Sequence, residues 1–502
     1  MCHNRTIAFT ALPFKDCMNT DTAQQTEPPS SSSSPRSKLL QVLGIGFGIA
    51  VTIGATVSGG ILRSPAEVAA HLQSPWLFVG IWFLGAVYAF VCSVSFAELS
   101  TMMPHSGGLY VFTHKALGDY AGFVVGWTDW LTSCGTVSAS ALLISDVAAG
   151  VVPALRGSSV WLAFALVLLF TGFQWSGIRT SSVVQGSTSL LKALALIIVA
   201  VAAFSVGREF VTPHSGAAIA SLPVPTPLSN VGEPSLWSLM IATILALQIV
   251  IYMYDGYYGV VYFGEEVRNP ARDIPRSMFT SVLISGGIYI LLNVAFVYVL
   301  PISQIASSDF IGGAVAKLTF GASGEMVVRS LIILCELSTI NAFFLFATRT
   351  LFAMSRDGLF TSRAVRVSKG GTPRVSLFMS MIVALLFLLS GSFEKALSIL
   401  TFAVVVNYAL SFWSVFVLRR REPETPRLYK AWGYPWTTGL ALGVSVLFLI
   451  GAAVSDVQHS LFATAALVAS YPAYLVSKKL LPPNKDHLQD NIATNTVEEG
   501  HA

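Results

Sequence analysis

Long apolar stretches alternate with short polar segments along most of the chain. A helix that crosses the hydrocarbon core of a bilayer, about 30 Å thick, needs about 20 mostly apolar residues. Twelve runs near or above that length contain few charged residues or none. The pattern predicts twelve transmembrane helices, near residues 43–62, 76–97, 120–145, 158–178, 181–206, 236–263, 278–300, 326–352, 375–393, 396–418, 433–455 and 459–477.

The runs are continuously apolar, whereas a strand of a membrane β-barrel alternates apolar and polar residues over about ten positions. We therefore expect an all-α membrane protein. The composition agrees, because 54% of the residues are hydrophobic and only 11% are charged, against about 25% charged residues in a typical soluble domain. This balance excludes a soluble protein, a secreted disulfide framework and a disordered chain.

The five cysteines and eight histidines indicate no redox or metal chemistry. Cys92, Cys134 and Cys335 lie inside apolar runs, where thiols behave as small hydrophobic groups. The histidines do not pair at the spacing of metal ligands. We expect no metal, no cofactor and no nucleic-acid partner.

Positive charges indicate the orientation of the helices, because short cytoplasmic loops are enriched in Lys and Arg. An even number of spans places both termini on one side. With the termini in the cytoplasm, 22 of the 30 Lys and Arg residues fall in cytoplasmic segments and 5 in external ones. The expected parts are a disordered cytoplasmic tail (1–38), helices 1–5 (39–208), an extracellular loop (209–235), helices 6–10 (236–418), helices 11 and 12 (419–479) and a cytoplasmic tail (480–502).

Two of the runs contain residues that destabilise helices. The first includes GATVSGGI at 54–61, and the sixth includes YMYDGYYG at 252–259. Glycine in a helix interior costs about 1 kcal/mol relative to alanine, and aspartate at mid-span costs on the order of 3 kcal/mol. The alternative is that small residues only let helices pack closely. Because the two sites open matching units of five helices, the sequence predicts a five-plus-five inverted repeat with helices 1 and 6 broken.

The broken helices predict a particular ligand chemistry. Unpaired backbone groups are tolerated at membrane depth only where they line a cavity. The half-helix after Ser58, Gly59 and Gly60 offers N–H donors and a positive dipole end, which suit a carboxylate. The half-helix that ends between Tyr252 and Asp255 offers carbonyls and a carboxylate, which suit an ammonium group. The two sets together match the zwitterion of an α-amino acid.

Six motifs occur in an order that resembles a known family. They are VSGGI (57–61), FAELSTMMPHSGGLYVF (96–112), GWTDWL (126–131), YMYDGYYGVVYFGEEVRNPARDIPRSM (252–278), ATRTLFAMSRDGLF (347–360) with GTPRVS (371–376), and RRREPETPRLYKAWGYP (419–435). The chain is similar to the amino acid, polyamine and organocation (APC) transporter superfamily, closest to its L-type amino acid transporter and bacterial amino acid permease branches. The resemblance covers residues 40–478 and implies a twelve-helix transporter that works by alternating access.

The resemblance also implies roles for residues at the two breaks. The substrate carboxylate would meet the backbone around Ser58, Gly59 and Gly60. Its ammonium would meet carbonyls near Thr56, Tyr252 and Asp255, with Met253 beside them, and Tyr252 would form an aromatic gate over the substrate. The order Ser-Gly-Gly at 58–60 departs from the family's Gly-Ser-Gly, so the serine hydroxyl is not expected to bind the substrate as it does in relatives.

Lys192 lies within the fifth run. A lysine near the end of a span can extend its side chain to the membrane surface. In proton-coupled and exchanging relatives, however, a lysine at the matching place fills the position where sodium-driven members hold a cation. The resemblance thus implies sodium-independent transport, as a proton symporter or an amino acid exchanger, in which Lys192 links substrate binding to closure.

Three intramembrane acids are further candidates for function. Asp255 replaces the small uncharged residue of many neutral amino acid transporters, so it either favours cationic or polar amino acids or only caps the half-helix after the break. Asp129 and Glu336 either form a proton path or pair with Arg329, Arg349 or Lys192. The charged clusters at 265–276, 355–358 and 419–424 either follow the orientation rule or form ion pairs that close an inner gate.

Other classes of protein fit the sequence less well. An enzyme would need a nucleophile with a base, or a metal cluster, and the chain has neither pattern. A polyamine or organocation permease would leave Ser58–Gly60 without a carboxylate, and a sensor would bind an amino acid without moving it. Relatives that work with a single-span glycoprotein, their heavy chain, are disulfide-linked to it through an extracellular cysteine between spans 3 and 4. The loop 148–158 here has no cysteine, so the resemblance implies no disulfide-linked heavy chain. A plasma membrane and a bacterial inner membrane both suit the sequence.

Overall fold

Apolar α-helices make up the computed structural model, which describes residues 38–155, 157–206, 236–308, 310–389, 393–455 and 457–480. These residues belong to one unit, Pro35–Ala502. Within the described ranges the chain forms isolated β-bridges but no strand of a sheet, which confirms the all-helical prediction. The proposed tail 1–38, except for its last residue, the loop 209–235 and nearly all of the tail 480–502 lie outside the described residues.

The described residues of the first half form seven α-helices. They are α1 Ile45–Thr56, α2 Ser64–His71, α3 Pro75–Met102, α4 Leu109–Leu117, α5 Asp119–Val151, α6 Ser159–Trp175 and α7 Ile178–Phe204. The second half begins after the undescribed loop. Its helices are α8 Leu236–Met253, α9 Pro270–Val299, α10 Ile302–Ala306, α11 Ile311–Phe320, α12 Gly324–Arg356, α13 Arg374–Leu389, α14 Phe393–Arg421, α15 Trp436–Ser455 and α16 Val457–Leu480.

Seven helical segments in the described residues are long and apolar enough to cross a membrane. They are Pro75–Met102, Asp119–Val151, Ile178–Phe204, Leu236–Met253, Pro270–Val299, Ile311–Arg356 and Phe402–Arg421. Shorter apolar helices of 10–17 residues are Ile45–Thr56, Ser159–Trp175, Arg374–Leu389 and Trp436–Gly451. Each of these segments overlaps one of the predicted spans, and together they indicate an integral, multi-pass membrane protein.

The helices depart from the predicted spans at the polar ends. The predicted spans 76–97 and 278–300 are continued as helix to Met102 and back to Pro270. Four short helices, α2, α4, α10 and α11, lie where the sequence indicated connections. Each of these helices is too short to span a bilayer, so apolar runs of spanning length do not predict them.

The two interruptions predicted by the glycine-rich motifs are present. Helix α1 ends at Thr56, and a 3₁₀ helix follows at Gly59–Leu62. Helix α8 ends at Met253, and a 3₁₀ helix follows at Gly259–Tyr262. After each break the chain continues as a 3₁₀ turn of four residues, and after the first of these turns α2 begins at Ser64.

Helix α1 lies in the interior of the unit and contacts α7, α9 and α12. Around this centre, α5 packs along α12, and α3 packs along α9. Gly48 allows one of these contacts, because a Cβ there would lie 2.3 Å from Oγ of Ser277 on α9. The interrupted part of α1 is thus surrounded by helices from both halves of the chain.

A fully buried ion pair connects the segment after the α8 break to α12. Arg349 is 1% exposed and Glu266 is 0% exposed, and the guanidinium donates through Nε and Nη2 to the two carboxylate oxygens, each at 2.9 Å. The carbonyl of Glu266 also accepts the Leu43 amide at 2.9 Å. The pair thereby holds the start of α1, the end of the second break and α12 together.

We expect Glu266→Gln to destabilise the protein strongly. Removing one partner of a buried pair leaves an uncompensated charge, at a cost on the order of 3–5 kcal/mol. Glu325→Gln is the matched control, because it breaks the Arg329–Glu325 pair, in which Glu325 is 71% exposed, at a cost of about 0–1 kcal/mol. Thermal unfolding in detergent measures both, and equal shifts in Tm would contradict the importance of the buried pair.

Candidate functional site

The break in α1 exposes backbone groups in the interior of the protein. After Thr56 the chain is extended at Val57 and at Ser58, whose φ and ψ are −106° and 172°. The Ser58 hydroxyl accepts a hydrogen bond from the Gly60 amide at 3.3 Å. The hydroxyl therefore closes the turn of its own backbone.

Lys192 binds the carbonyl side of this break. Its Nζ donates to the carbonyls of Gly54 at 3.0 Å and Val57 at 2.6 Å, and the side chain is 0% exposed. The alternative in which this lysine reaches the membrane surface is therefore wrong. Thr339 on α12 also donates to the Gly54 carbonyl, at 3.4 Å.

Glu336 binds the amide side of the same break. The Gly59 N–H donates to Oε1 at 2.9 Å, and the Ser140 hydroxyl on α5 donates to Oε2 at 2.6 Å. The side chain is 4% exposed. The break therefore has a lysine on its carbonyls and a glutamate on its amide.

Tyr289 connects the two breaks directly. Its hydroxyl lies 2.8 Å from the Thr56 carbonyl of α1 and 3.1 Å from the Met253 carbonyl of α8. A hydroxyl has a single hydrogen to donate, so the two carbonyls share it. Tyr289 is fully buried on α9, and it satisfies the terminal carbonyls that the helix ends leave free.

Gly256 lets the two breaks touch. Its φ is +92°, in the left-handed region that favours glycine. A Cβ at this position would lie 2.8 Å from the Ala55 Cβ and 3.0 Å from the Thr56 nitrogen. Both the conformation and the contact require glycine here, and the close approach places Met253 against Gly60, where a Cβ would lie 2.9 Å from the Met253 methyl group.

Asp255 and Tyr252 lie on a different side of the α8 break from Met253. Asp255 Oδ1 accepts the Gly256 amide at 2.7 Å and also binds the Tyr408 hydroxyl of α14. Tyr252 is 47% exposed, and both residues line a small cavity with Tyr88, Tyr408 and Phe448. In this conformation Asp255 closes the turn of the break, and Tyr252 faces α14 and α15.

Asp129 is buried, and its oxygens accept from hydroxyl groups. The Tyr262 hydroxyl lies 2.8 Å from Oδ1, and the Thr350 hydroxyl lies 3.0 Å from Oδ2. The ion pairs considered for Asp129 and Glu336 with arginine are wrong, because Arg329 binds Glu325 and Arg349 binds Glu266. Asp129 contacts the second break through Tyr262, which belongs to its 3₁₀ helix.

Some of the charged clusters in the connections form ion pairs. Glu265 binds Arg356, its Oε1 lies 3.3 Å from Nδ1 of His105, and it accepts the Ser106 amide at 3.3 Å. Burial alone would raise the pKa of Glu265, but His105 and the charge of Arg356 outweigh burial and lower its pKa to about 2. Arg419 likewise binds Glu98, with Nε at 2.9 Å from Oε1.

The structure thus brings together part of the predicted site. Thr56, Ser58, Gly59, Gly60 and Met253 lie where the two breaks meet, and Lys192 and Glu336 bind the backbone of the α1 break. Sequence reasoning missed Tyr289 and Ser140. Both are polar residues within apolar helices. No spacing or motif distinguishes them from the other tyrosines and serines of these helices.

The fold and this site define a class of protein: a polytopic membrane protein with two interrupted helices that meet at a buried, charged site. The family model for amino acid permeases matches residues 39–471. The chain therefore belongs to the amino acid permease family of the APC superfamily.

Three relatives with assigned activities illustrate the family. The serine/threonine exchanger SteT of Bacillus subtilis is 25% identical, with 88% of this chain and 98% of the relative covered. The branched-chain amino acid permease BcaP of Bacillus subtilis is 29% identical, covering 79% and 85%. The b(0,+)-type amino acid transporter 1 of Mus musculus is 26% identical, covering 79% and 80%. These relatives are transporters rather than enzymes.

We expect Tyr289→Phe to loosen both breaks at once. The Thr56 and Met253 carbonyls would lose their shared donor, and an unsatisfied buried group costs about 1–3 kcal/mol. Hydrogen exchange should then rise in peptides that cover 54–62 and 252–258. Tyr254→Phe is the control, because among the described residues the Tyr254 hydroxyl binds the Trp82 carbonyl, at 3.1 Å, rather than a carbonyl of either break. Equal exchange in the two variants would contradict the bridging role.

Proposed function

We propose that the protein is a secondary active transporter that moves L-amino acids across a membrane by alternating access. The observation that carries the proposal is the separation of charge at the α1 break, where Lys192 binds carbonyls and Glu336 binds an amide. The carbonyls at this break suit the ammonium group of a zwitterion, and its amides suit the carboxylate. Membership in the amino acid permease family and the activities named for its relatives support the same substrate class.

The proposed architecture is a twelve-helix, five-plus-five inverted repeat. Helices α1, α3, α5, α6 and α7 form the first unit, and α8, α9, α12, α13 and α14 form the second, with α15 and α16 following. Each unit opens with an interrupted helix, as inverted-repeat transporters require. The distribution of Lys and Arg supports cytoplasmic termini.

In this proposal the substrate carboxylate binds the amides of Gly59 and Gly60, and its ammonium binds carbonyls at the ends of α1 and α8. Thr56 and Met253 supply two such carbonyls, which lie within reach of one hydroxyl group. Ser58 shapes the turn. Tyr252 acts as a gate only if the end of α8 moves, because its side chain now faces α14 and α15.

The position of Lys192 supports the proposal that transport is independent of sodium. A cation bound by the Gly54 and Val57 carbonyls would have to displace a buried ammonium group that already satisfies both. Energy for uptake then comes from protons or from exchange for an internal amino acid. The relative SteT is a serine/threonine exchanger, which favours exchange, and the buried carboxylates of Asp129 and Glu336 are the candidates for proton binding.

A covalently attached heavy chain is not part of the proposal. One relative, from Oryctolagus cuniculus, is named as the small subunit of a transporter for large neutral amino acids and is 24% identical. The segment 148–158 of this chain, which connects α5 to α6, contains no cysteine through which a disulfide could form.

Transport by the purified protein in liposomes tests the proposal. We expect uptake of labelled amino acids into vesicles that contain amino acid or face an inward proton gradient, and no increase from a sodium gradient. Uptake driven by sodium would contradict the role of Lys192. Uptake of polyamines without uptake of amino acids would favour an organocation permease, and binding without flux would indicate a sensor.

Asp255→Asn tests whether the Asp255 carboxylate recognises cationic substrates in addition to stabilising the turn. If Asp255 recognises cationic substrates, lysine and arginine uptake should fall at least tenfold more than leucine uptake. If it only stabilises the turn with Gly256 and Tyr408, uptake of all three should fall equally. Tyr408→Phe is the matched control, because it removes the hydroxyl partner and keeps the negative charge.

A further inference from the structure

The Gly59 amide, which the proposed function assigns to the substrate carboxylate, is already bound by a carboxylate of the protein. Glu336 Oε1 lies 2.9 Å from the Gly59 nitrogen, within the range of a strong, charge-assisted hydrogen bond. A Cβ placed on Gly59 would lie 3.2 Å from the same oxygen. Glu336 therefore occupies the space directly against this amide.

Glu336 is held in place from a third helix. The Ser140 hydroxyl on α5 donates to Oε2 at 2.6 Å, so both carboxylate oxygens have a donor. The side chain is 4% exposed. The carboxylate is thus fixed at the break by hydrogen bonds to both of its oxygens.

A substrate carboxylate cannot simply be added beside Glu336. It offers only acceptors and brings a second negative charge, and like charges in contact repel strongly in a medium of low dielectric constant. One amide hydrogen also cannot serve two oxygens at full strength. A ligand with a carboxamide in the same place differs in both respects, because it is neutral there and its NH₂ can donate to Glu336.

We propose that Glu336 is a specificity-determining residue that occupies the position of the substrate carboxylate and must withdraw from Gly59 when an amino acid binds. The inference rests on the proposed function. It predicts that Glu336 weakens the binding of carboxylates relative to carboxamides, and that affinity for amino acids is set in part by how firmly Ser140 and Gly59 hold this side chain.

Glu336→Gln is the principal test, because glutamine keeps the shape and an acceptor for Gly59 but loses the charge. Equilibrium binding would be measured on the purified full chain with L-serine and L-serinamide and with L-leucine and L-leucinamide. We expect the preference for acid over amide to rise at least tenfold in the variant. A preference that stays the same, or that falls, would overturn the proposal.

Ser140→Ala keeps the test valid if the glutamine variant does not fold. It leaves the charge in place and removes one of its two anchors, so the same preference should rise by about two- to fivefold. Ser138→Ala is the control on the same helix, because the Ser138 hydroxyl binds the Ala384 carbonyl at 2.6 Å, and it should leave the preference unchanged.

The outcomes separate the two proposals. If the unaltered protein binds and transports an amino acid but neither Glu336→Gln nor Ser140→Ala changes the preference, only the role of Glu336 fails. If the unaltered protein binds none of the four ligands and takes up no amino acid in liposomes, the proposed function fails and the role of Glu336 fails with it.

Discussion

The structure depends on one constraint: backbone groups released by a broken helix inside a membrane protein must find partners within the protein. At the α1 break these partners come from three different helices. Lys192 belongs to α7, Tyr289 to α9 and Glu336 to α12. Each side chain binds a different part of the interrupted segment, so the break serves as the point at which helices from both halves of the chain are connected.

The polar groups around this point are sorted by charge. Carbonyls at the end of α1 face an ammonium and a hydroxyl, and the amide of Gly59 faces a carboxylate. This sorting follows the field of the helix end, because free carbonyls carry partial negative charge and free amides partial positive charge. By contrast, the charges of Arg349 and Glu266 cancel each other, which makes that pair a structural connection and leaves no group for a ligand.

The sequence predicted the helices and the breaks better than the contacts. Continuous apolar runs indicate membrane helices because the bilayer imposes one length and one solvent, and glycine beside aspartate marks an interruption because both are costly at mid-span. Lys192 was predicted because relatives have a lysine at the matching place of the fifth helix, where sodium-driven members hold a cation. Tyr289 and Ser140 were not found, since their roles depend on how α9 and α5 are rotated and on which residue each helix places opposite the break.

The orientation of Tyr252 and Asp255 shows a second reason why the sequence did not predict the contacts of the site. The side chains near the end of α8 point in two directions. Met253 packs on Gly60, whereas Tyr252 and Asp255 line a cavity with residues of α14 and α15. Where a helix ends, its regular spacing no longer fixes the direction of side chains. A motif can therefore identify the segment correctly and still leave open which of its residues face the interior.

The contact of Gly256 with Ala55 has a mechanical consequence. Because the backbones of the two interrupted helices touch there and share the hydroxyl of Tyr289, neither can tilt far without carrying the other. Any rocking movement of the protein must then move the ends of α1 and α8 together. A side chain larger than hydrogen at position 256 would push the ends of α1 and α8 apart.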